Sequence, residues 1–438
     1  MGQELYVEER TPQRARARDA VARIHDRLVE VGWDGAFRLW DGATLGADDA
    51  PFRIVLRAPW SLRAMFPATD LSLGEAYLDD VFDVEGSMVE AMRAIARLGP
   101  ALERAPVRRG LARLVLRMPR PPARRRWRRA VLPGRRAHSL RRDREAIAFH
   151  YDVGNDFYRL FLDERLVYSC AYFADADDRA PGEVDDGALE RAQLRKLDLV
   201  CRKLGLQEGQ RLLDVGCGWG ALVVRAAEAY GVRAVGITLS EQQARLAREV
   251  VAARGLSEQV EIRVADYREV DGTFDAVASI GMVEHVGSRH LDAYFRRLFD
   301  LTAPGGRLLN HGITTGGRGV VRDFAVERDT FIGRHVFPDG ALVPSAVMLS
   351  HAEAAGFEVV DLEQLRPHYA RTLEHWVHRL ERAGDEAVER ASERHRRTWR
   401  AYMAGSVVGF ESNDLGVIQL LCSRGARLPL GRDWLTVA

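Results

Sequence analysis

RLLDVGCGWG, residues Arg211–Gly220, is the stretch on which the fold turns. A short apolar run, RLLDV, enters a turn with glycines at 216, 218 and 220, and the helical pattern ALVVRAAEAY (Ala221–Tyr230) follows directly. The glycines let the backbone turn sharply and approach a ligand without side-chain obstruction. Downstream, RAVGIT (Arg233–Thr238), VEIRVA (Val260–Ala265), FDAVASI (Phe274–Ile280) and GRLLNHGI (Gly306–Ile313) read as further short strands. SEQQARLAREVVAARG (Ser240–Gly255) and LDAYFRRLFDLT (Leu291–Thr302) carry apolar residues at helical spacing between them. Such repetition predicts an α/β, Rossmann-like domain with a parallel-dominated sheet covered by helices on both faces. Residues 145–438 are its expected extent.

Upstream, a helical segment (Ala20–Val31) precedes two strand-period runs, FRLWDG and FRIVLRAP, joined by the turn WDGATLG. A small α+β domain over residues 1–100 is therefore expected. The chain has 438 residues with 47% apolar and 29% charged, enough for two cores and too polar for an integral membrane protein. Its net charge is +1, so a charged binding surface must come from local clustering. Residues 101–144 read as an Arg-rich linker: Arg104–Arg144 holds sixteen arginines and one acid, Asp143. Either the run is a solvated linker, or it docks on anionic lipid headgroups with Trp127 and the leucines at the interface. No recognition motif supports nucleic acid as a partner. Cys170, Cys201, Cys217 and Cys422 are too dispersed for a zinc site or a disulfide framework. With no signal-peptide pattern and no long apolar run, a cytoplasmic protein is expected.

Asp214 at the strand end and the G-x-G-x-G spacing of Gly216, Gly218 and Gly220 resemble an S-adenosylmethionine loop, in which the carboxylate holds the amino-acid moiety. A dinucleotide site would place an acid after the second strand, where this chain has Thr238 and Leu239. Gln242 and Gln243 could serve a ribose instead. Asp266 and Tyr267, in VADYRE, are sited to bind and cover adenine.

Three more segments join polar groups to apolar strand ends: FHYDVGNDFYRLFLDERLVYSCAYF (Phe149–Phe173), SIGMVEHVG (Ser279–Gly287) and LNHGITT (Leu309–Thr315). In this order they resemble the cyclopropane-fatty-acid synthases, mycolic-acid cyclopropane synthases included, over about His150–Gly425. LSLGEAYLDDVFDVEGSM (Leu71–Met88) also looks like the small, sterol-carrier-like N-terminal domain of the longer, phospholipid-acting members. The resemblance implies a class I methyltransferase fold, with Tyr168 and Ser169 added to the cofactor-binding residues. It implies a bicarbonate ion held at Cys170, Glu284, His311, Ile313 and Tyr369. His285 and His290 read as a packed and a surface histidine. A cysteine that some members carry falls on Ser406 here, which puts a covalent thiol route in doubt. Glu145 is read as a surface acid, with a carboxylate near the site as the alternative.

An olefin is a weak nucleophile, so it must be held in line with a sulfonium methyl in a dry pocket. The resulting carbocation needs an electron-rich wall and a base. The implied activity is methyl transfer to a cis double bond of an unsaturated phospholipid acyl chain, closing a cyclopropane ring. The alternative product is a methylene-branched chain, the precursor of 10-methyl fatty acids. A nicotinamide oxidoreductase is disfavoured by the missing acid, and a non-enzymatic adaptor by the intact Asp214, Glu284 and His311. Peripheral association with the inner face of the membrane is expected. Members of the family are commonly dimers, so a homodimer is an option.

Overall fold

The computed structural model describes residues 12–122, 154–177, 185, 187–317, 324–325, 330–337, 340–425 and 431–432. Within the small domain, α1 (Pro12–Val29), β1 (Ala36–Arg38), β2 (Thr44–Leu45), β3 (Phe52–Leu56), α2 (Ser61–Met65), α3 (Asp70–Leu78), β4 (Phe82–Gly86), α4 (Met88–Leu102) and α5 (Ala105–Leu116) follow in order. Its sheet runs β2-β1-β3-β4. FRLWDG is strand only at its start, because Leu39 N–H bonds Ala43 O to close the turn that WDGATLG anticipates. The basic run begins as α5, whose Leu114 is buried while Arg108, Arg109 and Arg113 face solvent. The rest of the run, residues 123–144, and Glu145 lie outside the described residues.

The large domain contains α6 (Asn155–Arg159), α7 (Ala188–Leu204), β5 (Arg211–Val215), α8 (Ala221–Tyr230), β6 (Arg233–Thr238), α9 (Glu241–Ala253), β7 (Val260–Val264), β8 (Phe274–Ile280), α10 (Leu291–Leu301) and β9 (Thr302–Thr315). It continues through β10 (Phe324–Ala325), α11 (Phe331–His335), β11 (Ala341–Pro344), α12 (Ser345–Ala354), β12 (Glu358–Gln364), α13 (Arg366–Arg390), α14 (Glu393–Glu411) and β13 (Leu415–Ser423). Strands β7-β6-β5-β8-β9 are parallel neighbours; β13 runs antiparallel to β9 and β12 antiparallel to β13. Chain order reverses direction at β5, so a crevice opens beyond its carboxyl end, where open α/β sheets bind ligands.

Both sheet faces are covered, which is why the strands read as apolar runs and not as alternating ones. Leu212, Ala276, Ala278 and Leu309 pack under α7, α8 and α9, while Leu213, Val277 and Leu308 pack under α10 and α12. A third core runs across the two domains, joining Phe37, Phe52, Tyr77 and Phe82 to Trp376, Trp399, Met403 and Val407 of α13 and α14.

Two buried arginines of α14 brace this junction. Arg400 donates to Val84 O at 2.9 Å, Gly86 O at 2.8 Å, the Tyr77 hydroxyl at 3.2 Å and Glu381 of α13 at 2.7 Å. Arg397 donates to Tyr77 O at 2.8 Å and to the carboxylates of Asp80 and Asp83 at 2.8 and 2.9 Å. Breaking a buried charge network on one side costs about 3–5 kcal/mol, because the remaining groups stay buried without partners. Arg400→Met is therefore expected to lower stability in that range. Arg254→Met, which loses only an exposed pair with Glu228, should change it by less than about 0.5 kcal/mol. Urea unfolding of both variants checks this, and equal small losses would mean that the small domain is not braced through α14.

Candidate active site

A cleft opens at the carboxyl ends of β5, β6, β7 and β8. Asp214, Gly216, Gly218, Thr238, Leu239, Gln243, Asp266, Tyr267, Tyr168 and Ser169 all line it. Gly218 has φ +54° and no atom near its would-be Cβ, so glycine is required there by backbone conformation and by access to the cleft. Gly220 does not line the cleft. It begins α8 with φ +85°, and an added Cβ would lie 3.2 Å from the Ala247 side chain, so its role is close packing of α8 on α9.

Thr238 donates its hydroxyl to Gln243 Oε1 at 2.8 Å, which leaves the Gln243 Nε2 donors for the cleft. Gln242 does not line it. Asp266 is held by Arg268, whose Nε and guanidinium tip both lie 2.7 Å from its oxygens. Asp214 is enclosed, and burial pushes its carboxyl up to about 7 against the pull of Lys196. A carboxylate so poorly solvated is suited to a cationic partner, which matches the amino group of an S-adenosylmethionine molecule.

Sequence reasoning missed Lys196, a fully buried lysine of α7 that lines the cleft and donates to the Ser169 hydroxyl at 3.0 Å. Burial lowers it to about 8, offset by Asp163, Cys170 and Asp214. The available signal was position: Lys196 and Lys203 stand on the apolar stripe of α7, among Ala192, Leu197, Leu199 and Val200. Trp219 also lines the cleft, its indole N–H donating to Asn155 at 2.9 Å. So does His285, which the sequence reading set aside as packed.

The remaining candidates gather beside the cleft and do not line it. Glu284 lies in a short 3₁₀ turn (Val283–His285) flanked by the cleft residues Met282 and His285. Its Oε1 accepts the Ile313 N–H at 2.7 Å, and burial pushes the carboxyl up to about 7. His311 stands two residues before Ile313, on the same face of β9. Ile313 pairs with Val417, whose carbonyl accepts the Leu365 N–H at 2.8 Å. Leu365 O in turn accepts the Tyr369 N–H at 3.1 Å and lies 3.8 Å from the Cys170 sulfur. One backbone corner thus brings all five residues together. The Cys170 thiol is directed at main-chain carbonyls and burial raises it far above its ordinary range, so it is no nucleophile here. Ser406 donates back to Tyr402 O at 2.9 Å within α14.

Two buried polar atoms, Glu284 Oε2 and His311 Nε2, have no hydrogen-bond partner among the described residues. With a proton on each, such atoms fit a small oxyanion. Aromatic rings cluster behind Tyr168, which lines the cleft: Tyr168 stacks on Trp376 at 5.1 Å, and Trp399 packs on Tyr168 at 5.8 Å and on Tyr402 at 5.7 Å. Tyr369 packs against Phe410 at 4.7 Å. No group of residues able to hold a metal occurs among those described.

Comparison with known proteins gives the same family by independent routes. The model of the mycolic acid cyclopropane synthetase family matches residues 138–420. A probable fatty acid methyltransferase of Pseudomonas putida is 38% identical over 92% of this chain and 94% of its own length. The cyclopropane-fatty-acyl-phospholipid synthase of Escherichia coli strain K12 is 36% identical over 63% of this chain and 67% of its own. The crystal structure of the mycolic acid cyclopropane synthase CmaA1 complexed with SAH and CTAB superposes with a TM-score of 0.58 at 35% identity, covering 64% of this chain and 98% of that one.

The Asp214 environment makes cofactor binding and folding oppose each other. Its folded value near 7 lies above the unfolded value of about 3.9, so the folded chain holds the extra proton between those limits. Stability from this group is therefore full at low pH and is lost as pH rises through about 7. Asp214→Asn should weaken S-adenosylmethionine binding at least about tenfold, since a charge-assisted contact is lost. The same change should raise the melting temperature of the ligand-free protein at pH 8. Calorimetry with and without cofactor tests both, and unchanged affinity would remove Asp214 from the binding site.

Proposed function

The chain belongs to the mycolic acid cyclopropane synthetase family, and on that premise we propose that it builds a cyclopropane ring across a cis double bond of an unsaturated phospholipid acyl chain. It is an S-adenosylmethionine-dependent enzyme of the fatty acid methyltransferase and cyclopropane synthase kind. The observation that supports methyl transfer to an olefin is the coincidence of two buried partnerless atoms, Glu284 Oε2 and His311 Nε2, with an aromatic cluster built on the cleft residue Tyr168. A methyltransferase acting on oxygen or nitrogen has a lone pair to attack with and needs no cation-stabilising wall. An olefin leaves a carbocation, and that wall is what it requires.

When bound, S-adenosylmethionine supplies the electrophilic methyl carbon and bicarbonate supplies a proton acceptor. The chain's own residues do the rest. Asp214 and Gln243 hold and orient the cofactor, and Lys196 supports Asp214 and Ser169 from beneath. Tyr168, Trp376, Trp399 and Tyr402 present ring faces and edges to the developing positive charge and exclude water that would capture it. Glu284, anchored by Ile313 N–H, and His311 would hold the anion with their free atoms, with Tyr369 and the Cys170 main chain closing the corner. A Glu284 carboxyl that is half protonated near neutral pH can donate a hydrogen bond to an anion.

Lipid mass spectrometry of cells expressing the protein should show unsaturated phospholipids heavier by one methylene, and proton NMR should show ring protons. An exocyclic methylene signal would replace this reading by the methylene-branched product. Glu284→Ala should leave cofactor affinity unchanged and slow turnover roughly 10²–10⁴-fold, the range of a general-base contribution. Removing dissolved bicarbonate should lower wild-type activity, and adding it back should restore it. Indifference to bicarbonate would overturn its assignment as the base.

No helix among the described residues is long and apolar enough to cross a membrane. Access to a bilayer chain is proposed to come from the basic run, whose Arg104, Arg108, Arg109, Arg113, Arg117 and Arg120 are all exposed, beside Leu116 at 53% exposure. Each such residue near an anionic surface contributes about 1 kcal/mol. Sedimentation with vesicles should show binding to anionic and not to neutral lipid, weakened by salt and by replacing Arg108, Arg109 and Arg113 with alanine. Equal binding to both vesicle types would exclude this mode of docking.

A further inference from the structure

Behind His311 lies a row of polar side chains that the chemistry described so far does not use. His311 of β9 pairs in register with Gln419 of β13, and Gln419 pairs in register with Glu363 of β12. Residues directly opposite across antiparallel strands place their side chains on one sheet face within contact distance. Lys203 of α7 descends onto this row, fully buried. Its ammonium is ion-paired with Glu363 and donates to Gln419 Oε1 at 2.8 Å. The other end of the Gln419 amide, Nε2, lies 3.3 Å from His311 Nδ1.

The chemistry of the row leaves one proton arrangement. An ammonium has three donors and no acceptor, so it selects the oxygen of the Gln419 amide. The amide must then turn its NH₂ group to the imidazole. An NH₂ group only donates, so Nδ1 must accept and carries no proton. In a neutral imidazole the proton then sits on Nε2, the ring atom that is buried without a partner among the described residues. Burial and the charges of Lys196 and Lys203 keep the ring neutral, lowering it to about 3.

We propose that Lys203 and Gln419 are positioning residues which lock His311 in the tautomer with its proton on Nε2, so that it presents a single N–H donor to the reacting corner. The proposal rests on the reading of His311 as a holder of an acceptor there. It accounts for two features that reading leaves unexplained: why a lysine is buried on the apolar stripe of α7, and why a glutamine sits at zero exposure in the middle of β13. An imidazole with the opposite tautomer would turn a bare nitrogen toward the site and repel an oxyanion.

The test is the tautomer itself. Full-length enzyme labelled with ¹⁵N-histidine gives two-bond correlations that show which imidazole nitrogen is protonated, and His311→Gln identifies the His311 signals. Wild type should show Nε2–H and bare Nδ1 at pH 7.5. Gln419→Glu offers only acceptors to Nδ1, so a proton should appear there, and turnover should fall roughly 10²-fold with cofactor affinity unchanged. Lys203→Met frees the amide to rotate and should mix the two tautomers, while Lys203→Arg should restore Nε2–H. Nδ1–H in wild type, or an unmoved proton in both Gln419→Glu and Lys203→Met, overturns the proposal. Should the proton move as expected with turnover unaltered, the lock stands, and the placement of His311 at the reacting corner is what fails. If Gln419→Glu does not fold, the wild-type spectrum and the two Lys203 variants decide.

Discussion

Desolvation at the carboxyl edge of the sheet is the constraint from which the site's properties follow. Burial raises Asp214 and Glu284 toward neutrality and lowers Lys196 and His311, and in each case it is the largest cause. The folded state bears this cost in stability, since none of these groups is fully matched by a partner. In the function proposed above, each meets a ligand that brings what is missing: a cation for Asp214, an oxyanion for Glu284 and His311. The low dielectric that makes the groups costly also strengthens every contact made with those ligands. A dry site serves the chemistry a second time, because a carbocation in contact with water would be captured before it lost a proton.

What keeps the edge dry is the pair of long helices α13 and α14 and the small domain behind them. Trp376 and Trp399 close the aromatic wall on one side, and the other side of α14 carries Arg397 and Arg400 into the small domain. Arg93 of α4 adds a second tie, reaching Glu374 of α13 at 3.0 Å and bonding Glu411 at the end of α14. The helices that shape the reacting corner are thus the ones that anchor the additional domain. The small domain thereby supports the wall mechanically as well as carrying the start of the basic run.

Local sequence pattern was a good guide wherever local forces decide. RAVGIT and FDAVASI are β6 and β8 residue for residue, and ALVVRAAEAY is α8, because glycine turns and apolar periodicity act within a few residues. The start of α1 at Pro12 was not legible, since its first turn is arginine-rich and buries nothing before Ala17. Gly220 was read as a cofactor contact from its place in the loop. The spacing alone could not tell a glycine facing a ligand from one facing a neighbouring helix. The motif residues around the reacting corner were named by resemblance, and their grouping through Ile313, Val417 and Leu365 became visible only when β9 and β13 paired.

By itself, then, the sequence determined the α/β order of elements, the glycine turn after β5, and the residue types available at each strand end. Those depend on backbone preferences and on periodicities of two and 3.6 residues, which a linear chain displays openly. Which polar groups lost their water was settled only by tertiary packing. Gln419 looks ordinary in the chain, and the place of Lys196 and Lys203 on an apolar stripe points to burial without saying against what, because burial is a property of what distant elements pack against. Lys203 and Gln419 are 216 positions apart in the chain, and His311 and Gln419 are 108 apart; in space, one helix and two adjacent strands bring the three side chains into a single row.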